Sequence, residues 1–179
     1  MPNWCNNTVR ISHEDPAKIA ALAEAINRGD FCKFVIPIPD ELTDTTAPNR
    51  DNPEALIEAT GYADWYDFCV NEWGTKWDIE PYDTIQVEAN SIYFGFDSAW
   101  SPPVGVYDKL YEDGYVVDAT YNEPGMTYAG RYYNGFDECF DYSGCDSTNV
   151  AEMIGEDLDE IYGISESMAE WEADEAEGA

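Results

Sequence analysis

Thirty-eight acidic residues stand against eight basic ones along this chain, a formal net charge of −30. That imbalance constrains the fold more than any other feature. An ordinary small domain carries a net charge of roughly 2–8 in magnitude. At −30, self-repulsion opposes compaction, so a folded state needs a strong apolar counterweight. The counterweight is present: 44% of the 179 residues are hydrophobic and 15% aromatic, enough to build a core and to exclude global disorder. The length suits one domain with one extension. The charge also limits partners. Duplex nucleic acid and anionic membranes need Lys and Arg that this chain lacks, which leaves basic proteins, cationic small molecules or metal ions. No run approaches the ~20 apolar residues of a membrane span. The opening Met1-Pro2-Asn3-Trp4 lacks the basic and apolar stretches of a secretory leader. Five widely spaced cysteines without a CxxC then point to free thiols in a reducing cytoplasm.

Periodicity gives a sequence of elements. Trp4 to Ser12 alternates around Cys5, Val9 and Ile11, as a strand does. Asp15 followed by Pro16 starts a helix with a stripe of Ile19, Leu22, Ala23 and Ile26, ended by Gly29. Phe31 to Ile38 reads as a second strand, and short helices are expected from Pro53 to Glu58 and from Tyr62 to Asn71. Thr84–Ala89 and Ser91–Phe96 form a hairpin about Asn90. Pro102-Pro103 opens a helix stopped by Gly114, and Tyr115–Tyr121 is a further strand. Thr127–Tyr133 and Asp137–Tyr142 extend the sheet. Asn149 to Tyr162 reads as one amphipathic helix with Val150, Ile154, Leu158 and Ile161 on one side. The residues from Ser165 form a frayed helix or disordered tail.

The fold class expected is α+β: a ferredoxin-like βαββαβ core over residues 1–135, with a helical insertion at about 40–80. Residues 136–179 form an acidic C-terminal helical extension, with the tail starting at about 165.

Three stretches carry a resemblance. They are Met1-Pro2-Asn3-Trp4-Cys5-Asn6-Asn7, Asn71-Glu72-Trp73-Gly74-Thr75-Lys76-Trp77-Asp78, and Phe96-Asp97-Ser98-Ala99-Trp100-Ser101-Pro102-Pro103. As a set they resemble the YubB-type (Api-like) ferredoxin-like family of phages and conjugative plasmids. The resemblance covers roughly residues 1–131, including the turn Tyr121-Asn122-Glu123-Pro124-Gly125-Met126. It implies a mobile-element setting and a ferredoxin-like core. It supplies no mechanism, because fold does not set function.

Charge is unevenly placed. Residues 1–76 hold thirteen acids against six bases, and residues 77–179 hold twenty-five against two. Fifteen acids and no base follow Arg131. Glu152, Glu156 and Glu160 repeat at i, i+4, a spacing that destabilises a helix by ~0.2–0.5 kcal/mol per like-charged pair. Helix stability therefore does not explain the arrangement. The reading preferred is a DNA-mimicking surface of Asp137, Glu138, Asp141, Glu152, Glu156, Asp159 and Glu160, binding and inhibiting a basic host protein. Restriction, CRISPR or recombination machinery are the candidate targets. Solubility alone, or a salty cytoplasm, is the competing account of the acids.

A second candidate site gathers Trp73, Lys76, Trp77 and Trp100 as an aromatic platform, against the plainer expectation that the indoles pin the insertion and that Lys76 pairs with an acid or packs over an indole. A small-ligand protein or enzyme built there is the alternative to partner binding. Tyr128, Tyr132, Tyr133 and Tyr142, set among acids, suit a protein interface. His13, the sole histidine, reads as a helix-start residue rather than a base. With one histidine and no CxxC, zinc is not expected at Cys139 and Cys145. Asp137, Glu138, Asp141 and Asp146 do not follow a calcium-loop pattern. No phosphate-binding or nucleophile motif occurs, so neither catalysis nor a cofactor is expected.

Overall fold

The computed structural model describes residues 3–178. Met1 and Pro2 of the opening motif, and Ala179 of the tail, lie outside the described residues.

Alternating apolar residues make Trp4–Ser12 the central strand, β1, with Cys5, Val9 and Ile11 fully buried. The helix α1, Pro16–Asn27, begins where the Asp15 carboxylate accepts from the Ala17 amide at 2.9 Å. Such a cap stabilises a helix by about 1 kcal/mol. Its stripe of Ile19, Leu22, Ala23 and Ile26 is buried as expected.

The expected second strand is not formed. Residues Phe31–Val35 are a helix, α2, with Phe31 and Cys32 fully buried. The cause lies far along the chain. The Asp78 carboxylate accepts from the Cys32 amide at 2.8 Å and the Lys33 amide at 3.0 Å, capping the first turn. Residues before proline favour extended backbone, and Pro37 and Pro39 follow closely. Short helices α3 (Asp40–Thr43), α4 (Pro53–Thr60) and α5 (Trp65–Phe68) follow, and α5 runs on into a π-helical turn, Cys69–Trp73.

The strands β2 (Gln86–Val87) and β3 (Ser91–Ala99) form the expected hairpin, whose Asn90 side chain donates to the carbonyls of His13 and Glu14. The helix α6, Val104–Glu112, buries Val106, Tyr107 and Leu110. It leads to β4 (Val116–Glu123), β5 (Tyr128–Tyr133) and β6 (Phe136–Asp141). All six strands join one antiparallel sheet in the order β2-β3-β1-β4-β5-β6. The molecule is therefore a mixed α+β protein.

Each face of this sheet has its own core. On one side Val9, Ile11, Phe94, Phe96, Val117 and Tyr132 pack under α1, α2 and α6. On the other, Ala129 and Phe140 pack beneath Val150, Ile154, Leu158 and Ile164. Tyr132 and Ala129 are three residues apart on β5, so they point to opposite faces.

The C-terminal helix expected as one piece is two: α7, Val150–Ile154, and α8, Glu156–Tyr162. Gly155 separates them at φ 95°, ψ 142°, a conformation open to glycine. The Ile154 carbonyl accepts from Arg131 Nη2 at 3.1 Å. The break shifts the helical phase, so Val150, Ile154 and Leu158 are buried while Ile161 is half exposed. Beyond Gly163, the expected tail is helix α9, Ile164–Gly178. Ser165 is held by the Asp159 carboxylate through its amide and hydroxyl, both at 2.6 Å. Further along α9, Glu172 accepts from the amide and hydroxyl of Ser147. No described helix is long and apolar enough to cross a membrane.

Candidate functional site

Two clusters follow from this frame, and the sequence-derived residues distribute unevenly between them.

The first is the acidic layer. Alternation along β6 sends Asp137 and Asp141 to one face of the sheet and Glu138 to the other. Asp137 accepts from the buried Tyr121 hydroxyl at 2.8 Å, and partial burial raises its carboxyl above the ordinary range. Asp141 accepts from the Ser143 amide, which lowers its own. Glu138 lies 3.7 Å from Arg131, whose guanidinium also grips Asp157 and holds that carboxyl low. Asp159 is committed to Ser165. The seven nominated acids therefore do not share one surface. Three of them, Glu152, Glu156 and Glu160, are exposed on α7 and α8, with no ion pair among the described residues. Sequence reasoning missed a further set of exposed acids. On α9, Glu166, Glu170, Asp174 and Glu177 are all exposed and recur at helical spacing along one side. Reading the tail as frayed hid that stripe, although the 4-4-3 spacing was available. Met153, Ile161 and Trp171 stand exposed on the same helices, Trp171 at 62%. Of the tyrosines expected at an interface, Tyr132 and Tyr142 are buried and Tyr133 is exposed. The Tyr128 hydroxyl donates to the Trp100 carbonyl.

The second cluster surrounds Lys76. Its Nζ lies 4.3 Å from the centroid of Trp77, 5.4 Å from Trp100 and 5.6 Å from Tyr66. Of the two plainer expectations for Lys76, it packs over an indole and forms no ion pair with an acid among the described residues. Trp73 does not belong to it. That indole is 2% exposed, edge-on to Phe68, and donates to the Ile36 carbonyl at 2.9 Å, so it serves the core. Tyr66 takes its place, edge-on to Trp100 at 6.2 Å. It sits within the segment expected to be an aromatic helix.

The three sequence stretches behind the resemblance interlock at this point. Thr75 Oγ1 donates to the Ala99 carbonyl and accepts from the Ala99 amide. The Ser101 hydroxyl donates to the Gly74 carbonyl. Gly74, at φ 86°, lets the backbone approach so closely that a Cβ there would lie 3.1 Å from the Pro102 oxygen. Asn7 Nδ2 donates to Ser98 Oγ at 2.8 Å, the Trp100 amide donates to the Asn3 carbonyl at 2.9 Å, and Trp4 meets Trp77 at 6.1 Å. Trp100 is held at φ 68°, a left-handed conformation uncommon for so bulky a side chain. Beside it opens a cleft of about 550 Å³ lined by Pro48, Asp64, Trp65, Tyr66, Asp67, Lys76 and Trp100, among others.

No family model matches the chain, and no curated protein matches it in sequence. Among solved structures it is similar to the crystal structure of protein api92 from Yersinia pseudotuberculosis, of the family DUF1281. The identity is 11%, the match covers 80% of this chain and 99% of that chain, and the TM-score is 0.42.

Proposed function

We propose that this is a binding protein whose C-terminal helices present a DNA-like negative surface to a basic, nucleic-acid-binding partner, and so inhibit it. The observation that carries the reading is the run of fifteen acids without a base after Arg131. A surface of one sign steers a cationic partner and competes for a groove that evolved for phosphates. Glu152, Glu156 and Glu160 with the α9 stripe are its contacts. Asp137 and Asp141 are not, because they face the other side of the sheet. Exposed Trp171, Ile161 and Met153 add apolar anchors of the kind that concentrate binding energy.

The core is read as ferredoxin-like. Support comes from the strand order β2-β3-β1-β4, with the hairpin β2–β3 between the helix-bearing connections of α1 and α6. The mobile-element setting rests on the three-motif resemblance, and with it the choice of a host defence or DNA-handling protein as target.

The test is capture of a host nucleic-acid-binding protein by the wild-type chain and by the double variant Glu152→Lys, Glu156→Lys. Capture by the wild type should be lost in rising salt, reversed by added duplex DNA and absent with the variant. Capture that ignores salt, DNA and both substitutions would refute the proposal.

A further inference from the structure

We infer that the cleft beside Lys76 binds a small aromatic monoanion, with its carboxylate on the Lys76 ammonium and its ring against Trp100 and Tyr66. The site is separate from the acidic helices and independent of the partner they bind.

The argument starts from how Lys76 is held. In a chain with 38 acids, this lysine has no carboxylate partner among the described residues. Three ring faces stabilise it instead. Ring faces attract the charge without accepting hydrogen bonds along lone pairs, so the ammonium keeps donors for a ligand. Lys76 lines the cleft, and about 550 Å³ is the size of a small-molecule site. Pro48, Trp65, Tyr66 and Trp100 add flat, largely apolar wall.

The Lys76 ammonium calls for an anion, and the two acids in the lining limit its charge. Asp64 spends its carboxylate on the amides of Asn49 and Asp67, both at 3.0 Å. Asp67 accepts from the Ala63 amide and from Asn71. These bonds fix the carboxylates in place without cancelling their charge. A dianion such as a phosphate ester meets that field twice over, whereas a carboxylate meets it once. The wall itself is made in advance. Trp100 is kept in its left-handed conformation by the bonds of its amide to Asn3 and of its carbonyl to Tyr128. Unfavourable backbone of this kind, over-determined by its surroundings, gathers at ligand sites.

The probe is phenylacetate, followed by amide and indole chemical shifts in the full chain and compared with phenylacetamide and phenyl phosphate. Phenylacetate should bind saturably, with the largest shifts at Tyr66, Lys76 and Trp100. The neutral amide, and phenylacetate on the Lys76→Met variant, should each bind at least about tenfold more weakly, the loss expected for a charged hydrogen bond. Equal binding of acid and amide, unchanged binding by Lys76→Met, or no saturation would overturn the inference. Tighter binding of phenyl phosphate than of phenylacetate would overturn the assignment to a monoanion. The acid–amide comparison uses wild-type protein, so it decides even if the variant fails to fold.

Discussion

Gly155→Ala distinguishes the structure from the simple helical pattern by the sign of its effect. Were residues 149–162 one continuous helix, replacing an interior glycine with alanine would stabilise the protein by about 0.5–1 kcal/mol. The structure requires the opposite. At φ 95° and ψ 142°, an alanine is strained by about 1–3 kcal/mol. Its Cβ would also lie 2.6 Å from Arg131 Nη2 and 2.8 Å from Asp157 Oδ1. Displacing that partly exposed ion pair adds about 0.2–1 kcal/mol. The sum is about 1–4 kcal/mol. At ~2–4 °C per kcal/mol for a chain of this size, Tm should fall by roughly 2–16 °C. Thermal unfolding followed by far-UV circular dichroism at neutral pH measures it. In an Asp157→Asn background the drop should shrink, because the ion pair is already gone. A Tm that stays level or rises would refute the break between α7 and α8 and the role given to Arg131.

Two further outcomes follow from buried groups. Asp78→Ala removes the acceptor for the amides of Cys32, Lys33 and Ile79 and should lower the urea midpoint, with a loss of about 2–3 kcal/mol at unchanged m; an unaltered midpoint would mean α2 holds itself. Burial pushes the thiols of Cys5 and Cys69 up to about 12, from ~8.5 in an unfolded chain. A raised pKa in the folded state gives stability that is complete below ~8.5 and lost as pH climbs towards 12. The urea midpoint should therefore fall across that window, and less steeply in Cys5→Ala; identical slopes would remove the thiol as the cause.

Local signals carried most of the sheet and two of its helices. The alternation of Cys5, Val9 and Ile11, the Asp15-Pro16 start and the turn at Asn90 each act within a few residues of the structure they specify. The departures all come from distant partners. Residues 31–35 are helical because Asp78 reaches them from more than forty positions away. The helix break at Gly155 depends on Arg131, from the adjacent strand layer. The candidate sites show the same division. Charge density is a property of composition and was readable. Which acids share a surface depends on the pleat of β6 and on Ser165 and Ser147 claiming Asp159 and Glu172. Lys76, Trp77 and Trp100 could be nominated from their motifs. Their meeting, and the retreat of Trp73 into the core, depended on Thr75 bonding to Ala99 and on the Ile36 carbonyl.

The outermost strand gives its acids a second occupation. Among the described residues nothing pairs with the far side of β6, and an open strand of six residues is a template on which another copy can add itself. Phe136 and Phe140 on that strand would favour such stacking. Asp137, Glu138 and Asp141 set like charges along the same rim, so two copies approaching side by side repel before their backbones can join. The opposite rim is guarded differently, by shortness, since β2 offers only two residues. Acids on β6 thus oppose the edge-to-edge pairing that an open strand invites.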